Sequence, residues 1–267
     1  MRRGPIGLAV VGTSVALGCV AAYRGIVRPW YERWGVEPAD DVRLLPGDEL
    51  IAGPTAGDTR AIWIDAPAAA IWPWLVQMGF GRAGWYSYDT LDMRGRSASE
   101  IVPEWQSIAL GQTMPTWPGG GLEVVQIEPE RAIVLYLDDL IVARQQKDAR
   151  ATAVGGLGAD ATTPGLVASA AIMRSQPRRF RASWAFVLEP IDGDHTRLIE
   201  RVRVEYAEIA AWNRVSGPLF GVAVFLMTRR QLLGIKQRAE RLITRGPLKP
   251  AVEELPVETG HQELVPA

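Results

Sequence analysis

The sequence contains very few of the residues that build disulfides, metal centres and nucleophilic dyads. It has one cysteine, Cys19, and two histidines, His195 and His261. A single cysteine excludes an intrachain disulfide. Neither histidine has a second metal-binding residue at a usable spacing, so we expect no metal site. A catalytic Ser/His or Cys/His pair has almost no histidine to draw on, and we assign no catalytic residue.

The chain also lacks the loops that bind nucleotides and any marked excess of charge. It contains no P-loop and no glycine-rich dinucleotide fingerprint, so we expect no cofactor. The formal net charge of its 267 residues is −1, which gives no general attraction to nucleic acid. Hydrophobic residues make up 48% of the chain, and ten tryptophans are among them. Tryptophan is large and amphipathic, and it suits both a core and the wall of a cavity.

A long uncharged segment stands near the N-terminus. It begins at Gly4 and ends at Tyr23, with arginines on both sides. As a helix it is ~30 Å long, about the thickness of a hydrocarbon core. Trp30, Tyr31 and Trp34 follow it, as aromatic residues do at a membrane interface. We therefore predict a single-pass membrane anchor with an interfacial flank over residues 1–34.

Three other interpretations of this segment remain open. It resembles a secretory signal peptide, although the basic residues directly after it disfavour cleavage. The residues before Cys19 weakly resemble a lipoprotein cleavage site, which would leave a lipidated cysteine at the new N-terminus. A buried helix is the third interpretation. The arginines balance across the segment, so the positive-inside rule does not decide the side of the membrane.

Composition divides the rest of the chain. Residues 35–58 are rich in proline, glycine and aspartate, and they predict a linker. Residues 59–246 carry the patterns of a folded domain. Within that domain, residues 148–172 are mostly alanine, glycine, threonine and valine, which indicates a flexible insertion. Residues 247–267 combine proline and glutamate with little apolar content and predict a disordered tail.

The first half of the domain predicts a strand, a helix and a hairpin. The strand covers residues 59–64, where apolar residues alternate. Asp65 then begins a helix that Pro73 bends. Two further strands are predicted over residues 122–127 and 132–138, joined by a short turn.

The second half predicts two long strands and a long helix. Apolar residues alternate over 182–188 and 198–206, as in an antiparallel sheet with one covered face. An amphipathic helix follows between Ser216 and Gly246. Its early residues 217–227 are apolar all round but too few to cross a bilayer. The fold class is therefore α+β, a curved antiparallel sheet around a long C-terminal helix, with an apolar pocket expected where the two separate.

Several segments in this order resemble the START-like (SRPBCC) family, over roughly residues 40–245. The resemblance implies the helix-grip fold, a long helix over a seven-stranded sheet. It also implies a class that includes polyketide cyclase- or dehydrase-like proteins and lipid transfer domains, with no universal catalytic residue. The insertion at 148–172 departs from the family pattern. The matching segments are IDAP (64–67), IWPWLVQMG (71–79), YSYD (86–89), IVPEWQ (101–106), SWAFVL (183–188), TRLI (196–199), RR (229–230) and LLGIK (232–236).

Glu200 is the most informative candidate for a ligand contact. Regular alternation puts its carboxylate on the apolar face of its strand, where an unpaired charge is costly. Either it orients a ligand hydroxyl or moves a proton, or a β-bulge or an arginine partner makes it structural. The full set of predicted cavity residues is Trp72, Trp74, Tyr86, Tyr88, Asp89, Trp184, Phe186, Glu200, Val202 and Val204.

The remaining candidates each have two interpretations. Tyr86, Tyr88 and Asp89 follow the first helix, where they either line the mouth of the pocket or plug the edge of the domain. The tryptophans at 72 and 74 and the apolar residues of the last hairpin contact either a ligand or the long helix.

Three functions follow from these patterns. The leading hypothesis is membrane-tethered binding of a hydrophobic small molecule, such as a lipid or polyketide. The first alternative is a cyclase- or dehydratase-type enzyme that acts on such a ligand. The second is an interaction protein whose own side chains fill the pocket. The patterns do not indicate an oligomeric state.

Overall fold

Six antiparallel strands form one curved sheet. The structure is a computed structural model that describes residues 14, 17–92, 95–117, 119–153, 180–206 and 211–244. The spatial order of the strands is β1-β6-β5-β4-β3-β2, so the first strand pairs with the last. The described residues thus hold six strands, where the family resemblance implies seven. The strands are β1 (Ala56–Ile64), β2 (Thr113–Trp117), β3 (Gly120–Glu128), β4 (Ala132–Asp138), β5 (Phe180–Pro190) and β6 (Thr196–Tyr206).

The helices stand at the ends of the chain and between strands. A π-helical turn (Tyr23–Val27) leads into α1, and 3₁₀ turns lie at Pro38–Asp41, Asp48–Ile51 and Pro103–Trp105. No helix in the described ranges is long and apolar enough to cross a membrane. The α-helices are α1 (Arg28–Glu32), α2 (Ala68–Val76), α3 (Asp89–Asp92), α4 (Asp139–Ala153) and α5 (Ala211–Thr244).

Alternation along the strands gives the sheet two covered faces. The concave face carries the larger cluster, in which Phe186, Leu198 and Leu135 pack against α2 and α5. Leu232 and Ile235 of α5 are fully buried in this cluster. The opposite, convex face carries a smaller cluster of mostly small or β-branched residues. The predicted α+β sheet with a C-terminal helix is therefore the observed architecture.

Helix α5 runs along β1 in a direction that its contacts define. The guanidinium carbon of Arg60 lies over the ring of Phe225, 5.7 Å from the ring centroid. Further on, Lys236 Nζ donates to the carbonyl of Trp63 at 2.9 Å. The second half of α5 therefore covers the sheet where β1 ends, and its first half lies toward the start of β1. We call the region around the start of β1 and the end of β6 the open end.

The segment predicted as a linker is packed onto the convex face. Arg197 of β6 binds Asp40 with both guanidinium NH groups, and Arg201 donates to Asp48 Oδ2 at 2.6 Å. Both aspartates are buried, and so is Ile51. Residues 35–58 thus belong to the domain. Their composition is typical of a linker, but their partners are arginines far along the chain.

Several other predictions meet the described residues only in part. The insertion predicted over 148–172 begins inside α4, whose last residue is Ala153. The remainder of that insertion and the predicted tail lie outside the described residues. Most of the predicted anchor over residues 4–23 does so as well, and the anchor stays a prediction. Its predicted flank is divided, since Tyr31 is buried while Trp30 is exposed.

Candidate ligand-binding site

A buried glutamate, Glu200, lies on the concave face in the middle of β6. Glu200 has no exposed surface, and its Oε1 accepts a hydrogen bond from Trp184 Nε1 at 2.8 Å. Its other oxygen, Oε2, is buried and makes no hydrogen bond within the described part of the chain. The strand is regular here, because Glu200 pairs in register with Arg60 and Phe186. The bulge considered as an alternative is absent from this ladder.

Arg60 faces Glu200 across the β1–β6 ladder and is itself fully buried. Its guanidinium forms two hydrogen bonds with Asp58, at 2.8 and 2.9 Å. Its Nε donates to the carbonyl oxygen of Tyr31 at 3.2 Å. The arginine partner considered as an alternative is therefore close by, but its hydrogen bonds go to Asp58 and Tyr31.

This arrangement shifts the acidity of both carboxyls. The pKa of Glu200 is raised from 4.5 to about 7: burial is the main cause and the nearby Asp58 adds to it, while Arg60 and the Trp184 hydrogen bond limit the rise. Burial also raises the pKa of Asp58 above its ordinary value, although Arg60 opposes it. Glu200 is consequently close to half-protonated at neutral pH, and it can donate or accept a proton at Oε2.

Aromatic rings form the wall beside Glu200. Trp184 is half-buried and stacks on Trp85, with their ring centroids 5.2 Å apart. Its other neighbour is the fully buried Phe186, at 5.0 Å. An aromatic wall with one acid suits an apolar molecule that carries a polar group.

The concave face is less covered toward the open end. Val202 and Val204 follow Glu200 on the same face of β6, and both are half-buried. In the other direction Leu198 is fully buried among α2 and α5 side chains. The concave face therefore carries five of the candidate residues, as the alternation predicts: Trp184, Phe186, Glu200, Val202 and Val204. The side of Glu200 that faces the open end, where Val202 and Val204 lie, is called its open side.

Tyr86 and the helix α2 tryptophans belong to the packed core. Tyr86 is buried, and its hydroxyl donates to the carbonyl of Trp74 at 3.0 Å. Burial raises the pKa of Tyr86 above its ordinary value. Trp74 is also buried, and Trp72 packs against the edge of the same cluster. The burial of Tyr86 favours the interpretation that it plugs the edge of the domain rather than lining a mouth.

The other two candidates lie outside the packed core, and Asp89 is the half-buried first residue of α3. Tyr88 is exposed, and Asp89 accepts a hydrogen bond from the Ser97 hydroxyl at 2.5 Å. Because that hydroxyl also accepts the backbone N–H of Tyr86 at 3.1 Å, Asp89 helps to order the loop. Neither residue is joined to Glu200 by a contact in the described structure.

Sequence reasoning missed three residues of the site: Asp58, Arg60 and Trp85. Arg60 shares its strand face with Ile62 and Ile64, and that alternation was the signal that could have found it. Asp58 precedes the predicted start of the first strand, so its face was undefined. Trp85 follows a helix in an irregular segment, where no periodicity indicates a direction.

A depression lies on the outer side of α5. It is an open groove of about 450 Å³, and none of the predicted cavity residues lines it. In the ranges that the structure describes, no cluster of histidine, cysteine and acidic residues has the arrangement of a metal site. The lining residues of the groove are Arg230, Leu233, Lys236, Gln237, Glu240, Arg241 and Thr244.

Comparison with known proteins gives weak likenesses. No protein-family model and no curated protein matches the chain. A protein from Arthrobacter aurescens solved by NMR aligns with a TM-score of 0.36 and 12% identity, over 77% of this chain and 93% of its own. The Zhui aromatase/cyclase from Streptomyces sp. R1128 aligns with a TM-score of 0.29 and 10% identity, over 70% and 95%. CalU16 from Micromonospora echinospora gives 0.29 and 13%, over 76% and 92%. Scores this low do not identify a family, and the fold description rests on the strands and helices of the chain itself.

Proposed function

We propose that the concave face binds a hydrophobic small molecule whose single polar group contacts Glu200. The observation that carries this proposal is the fully buried carboxyl group whose Oε1 is fixed by Trp184 while Oε2 makes no hydrogen bond within the described residues. A buried polar atom without a partner costs about 1–3 kcal/mol. A ligand hydroxyl at Oε2 recovers that cost.

The surroundings of Glu200 favour a mostly apolar ligand. The half-buried Trp184, Val202 and Val204 offer aromatic and aliphatic surface on the open side of the acid, and the buried Trp85 stacks on Trp184. Lipids and polyketides combine such an apolar body with a few hydroxyl or carbonyl groups. Delivery of such a molecule is easiest next to a bilayer, and tethering through residues 4–23 is part of the proposal.

An enzyme is the second candidate, and a specific observation favours it. The pKa of Glu200 is raised to about 7, where a carboxyl group is both proton donor and acceptor near neutral pH. In that case Glu200 moves a proton on the bound molecule, as a cyclase or dehydratase requires. Glu200→Gln separates the two functions, because a glutamine retains a hydrogen bond but cannot transfer a proton.

Mass spectrometry of molecules that co-purify with the full chain tests the proposal. Deletion of residues 1–34 is unsuitable, because it removes the carbonyl group of Tyr31 that Arg60 binds. We compare organic extracts of the wild type, of Val202→Trp, which fills the open side of Glu200, and of Leu140→Trp at an exposed position. We expect one class of molecule in the wild type and in Leu140→Trp, and its loss from Val202→Trp. Identical extracts from all three proteins contradict the proposal.

A further inference from the structure

Two helices with apolar sequences lie side by side at the open end of the domain. One is the helical stretch of residues 17–32, called the N-terminal helix, which ends in α1; the other is the first half of α5 with its apolar residues 217–227. The rings of Trp30 and Tyr31 lie 5.2 and 5.9 Å from the ring of Phe225. A Cβ atom on Gly221 would come within 2.7 Å of Tyr31 Oη, so the helices approach closely because this residue is glycine.

The N-terminal helix is held in place by the sheet as well. Arg60 binds the carbonyl of Tyr31, and the backbone N–H of Ala61 donates to the carbonyl of Trp34 at 3.0 Å. Gly35 packs directly on the Ala61 carbonyl, where a Cβ would stand only 2.0 Å away. The residues that follow the predicted anchor thus pack closely against β1. The orientation of the N-terminal helix therefore fixes the orientation of the domain.

Four apolar side chains around this helix pair point to solvent. Ile26 is 70% exposed, Trp30 59% and Leu226 47%. Val27 is exposed as well. We call these four residues the apolar rim. Large apolar side chains that are exposed on two packed helices are typical of an interaction surface.

Arginines adjoin the apolar rim on both helices. Arg24 and Arg28 are exposed on the N-terminal side, and Arg229 and Arg230 follow the apolar run of α5. The guanidinium of Arg229 lies over the ring of Trp34, 5.2 Å from its centroid. Aromatic and aliphatic side chains beside arginine fit the boundary between acyl chains and anionic headgroups.

We infer that the apolar rim and its arginines dock the domain onto the surface of an anionic lipid bilayer, next to the anchor. This inference rests on the membrane tether of the proposed function. It adds an orientation: the first half of α5 lies at the bilayer, and so does the open end of the concave face with Val202 and Val204. A hydrophobic ligand then passes between lipid and protein without crossing water.

Spin labels on the full chain in vesicles test this surface. In a Cys19→Ser background, a nitroxide is placed at Leu226, or at Leu140 as an exposed control on α4. The ratio of collision with oxygen to collision with a water-soluble nickel chelate reports contact with lipid. In vesicles of phosphatidylcholine and phosphatidylglycerol we expect a ratio several-fold higher at 226 than at 140. Replacing both Arg229 and Arg230 by glutamine lowers the ratio at 226 toward the control, whereas Arg131→Gln at a distant turn leaves it unchanged.

The outcomes separate the docking surface from the tether. If the chain does not float with vesicles, the tether and the docking surface are both wrong. If it floats but labels at 226 and 140 give the same ratio, the tether stands and the docking surface is wrong. Dipolar broadening between labels at 226 identifies a second copy of the chain as the occupant and also overturns the inference. An unchanged ratio in the variant with both glutamines would contradict the inference that the arginines bind anionic headgroups.

Discussion

Arg60 and Glu200 stand opposite each other on the concave face, yet the guanidinium binds Asp58 and leaves one glutamate oxygen without a hydrogen bond in the described structure. Both side chains are fully buried. The positive charge of Arg60 still acts on Glu200 and limits the rise of its pKa. The pair therefore holds a buried acid near its protonation midpoint instead of forming a closed ion pair.

The raised pKa of Glu200 predicts that stability decreases as pH rises. The folded state binds the proton up to about pH 7, and the unfolded chain releases it near 4.5. The folded state thus binds more protons between these values, and the free energy of unfolding falls as pH rises through this window. The contribution is present below about pH 4.5 and is lost above about pH 7. Its size is on the order of 3 kcal/mol.

Urea unfolding of the full chain in a mild detergent at several pH values checks this prediction. Glu200→Gln carries no titrating proton, and its stability should change less with pH in the same window. Glu104→Gln, at an exposed position, should keep the wild-type slope. Equal slopes for the wild type and Glu200→Gln would show that Glu200 titrates normally.

Replacing Arg60 should destabilise the protein and shift the acid further. Arg60→Met leaves Asp58 without its ion pair and Tyr31 without a donor, which costs about 3–5 kcal/mol when a buried pair is broken. Without the positive charge the pKa of Glu200 rises, so the pH-dependent loss of stability moves to higher pH. Arg131→Met, at an exposed position, serves as the control. This substitution should change the free energy of unfolding by less than about 0.5 kcal/mol. A destabilised Arg60→Met with an unchanged pH profile would refute the coupling to Glu200.

Most of the regular elements of the domain follow from its sequence pattern. The strand predicted over residues 132–138 coincides with β4, and the alternation over 182–188 and 198–206 lies within β5 and β6. These elements repeat at a fixed period because each has one face against a core. Periodicity also assigned Glu200 to the concave face correctly.

What the sequence did not indicate depends on contacts between distant residues. Asp40 and Asp48 resemble linker aspartates until β6 supplies Arg197 and Arg201. Tyr86 resembles a pocket residue until its hydroxyl meets the Trp74 carbonyl and α5 covers it. No local pattern encodes such a partner, because the fold brings the two residues together.

Replacement of one buried aspartate in the segment on the convex face should strongly reduce stability. Asp40→Asn removes the charge that Arg197 binds with two NH groups, and both side chains are buried. We expect a loss of about 3 kcal/mol or more in the free energy of unfolding. The exposed pair of Arg131 and Glu128 gives the matched control, since Glu128→Gln should cost at most about 1 kcal/mol. Similar small losses in both variants would mean that residues 35–58 are a dispensable linker.

A glycine of α5 tests how closely that helix meets the loop after α2. A Cβ on Gly234 would stand 2.2 Å from the Tyr86 carbonyl oxygen, which is backbone and cannot move aside cheaply. Gly234→Ala should therefore cost at least about 1–3 kcal/mol, despite the better helix propensity of alanine. At Gly193, a Cβ meets nothing within 4 Å, and Gly193→Ala should be nearly neutral. A stabilised Gly234→Ala in thermal unfolding would contradict the observed packing of α5.

The most direct test is an experimental structure of the full chain purified without removal of bound molecules. We expect continuous density between β6 and α5 on the open side of Glu200, with a polar atom of the bound molecule about 3 Å from Oε2. Protein side chains that fill this space and satisfy Oε2 themselves would contradict ligand binding at Glu200.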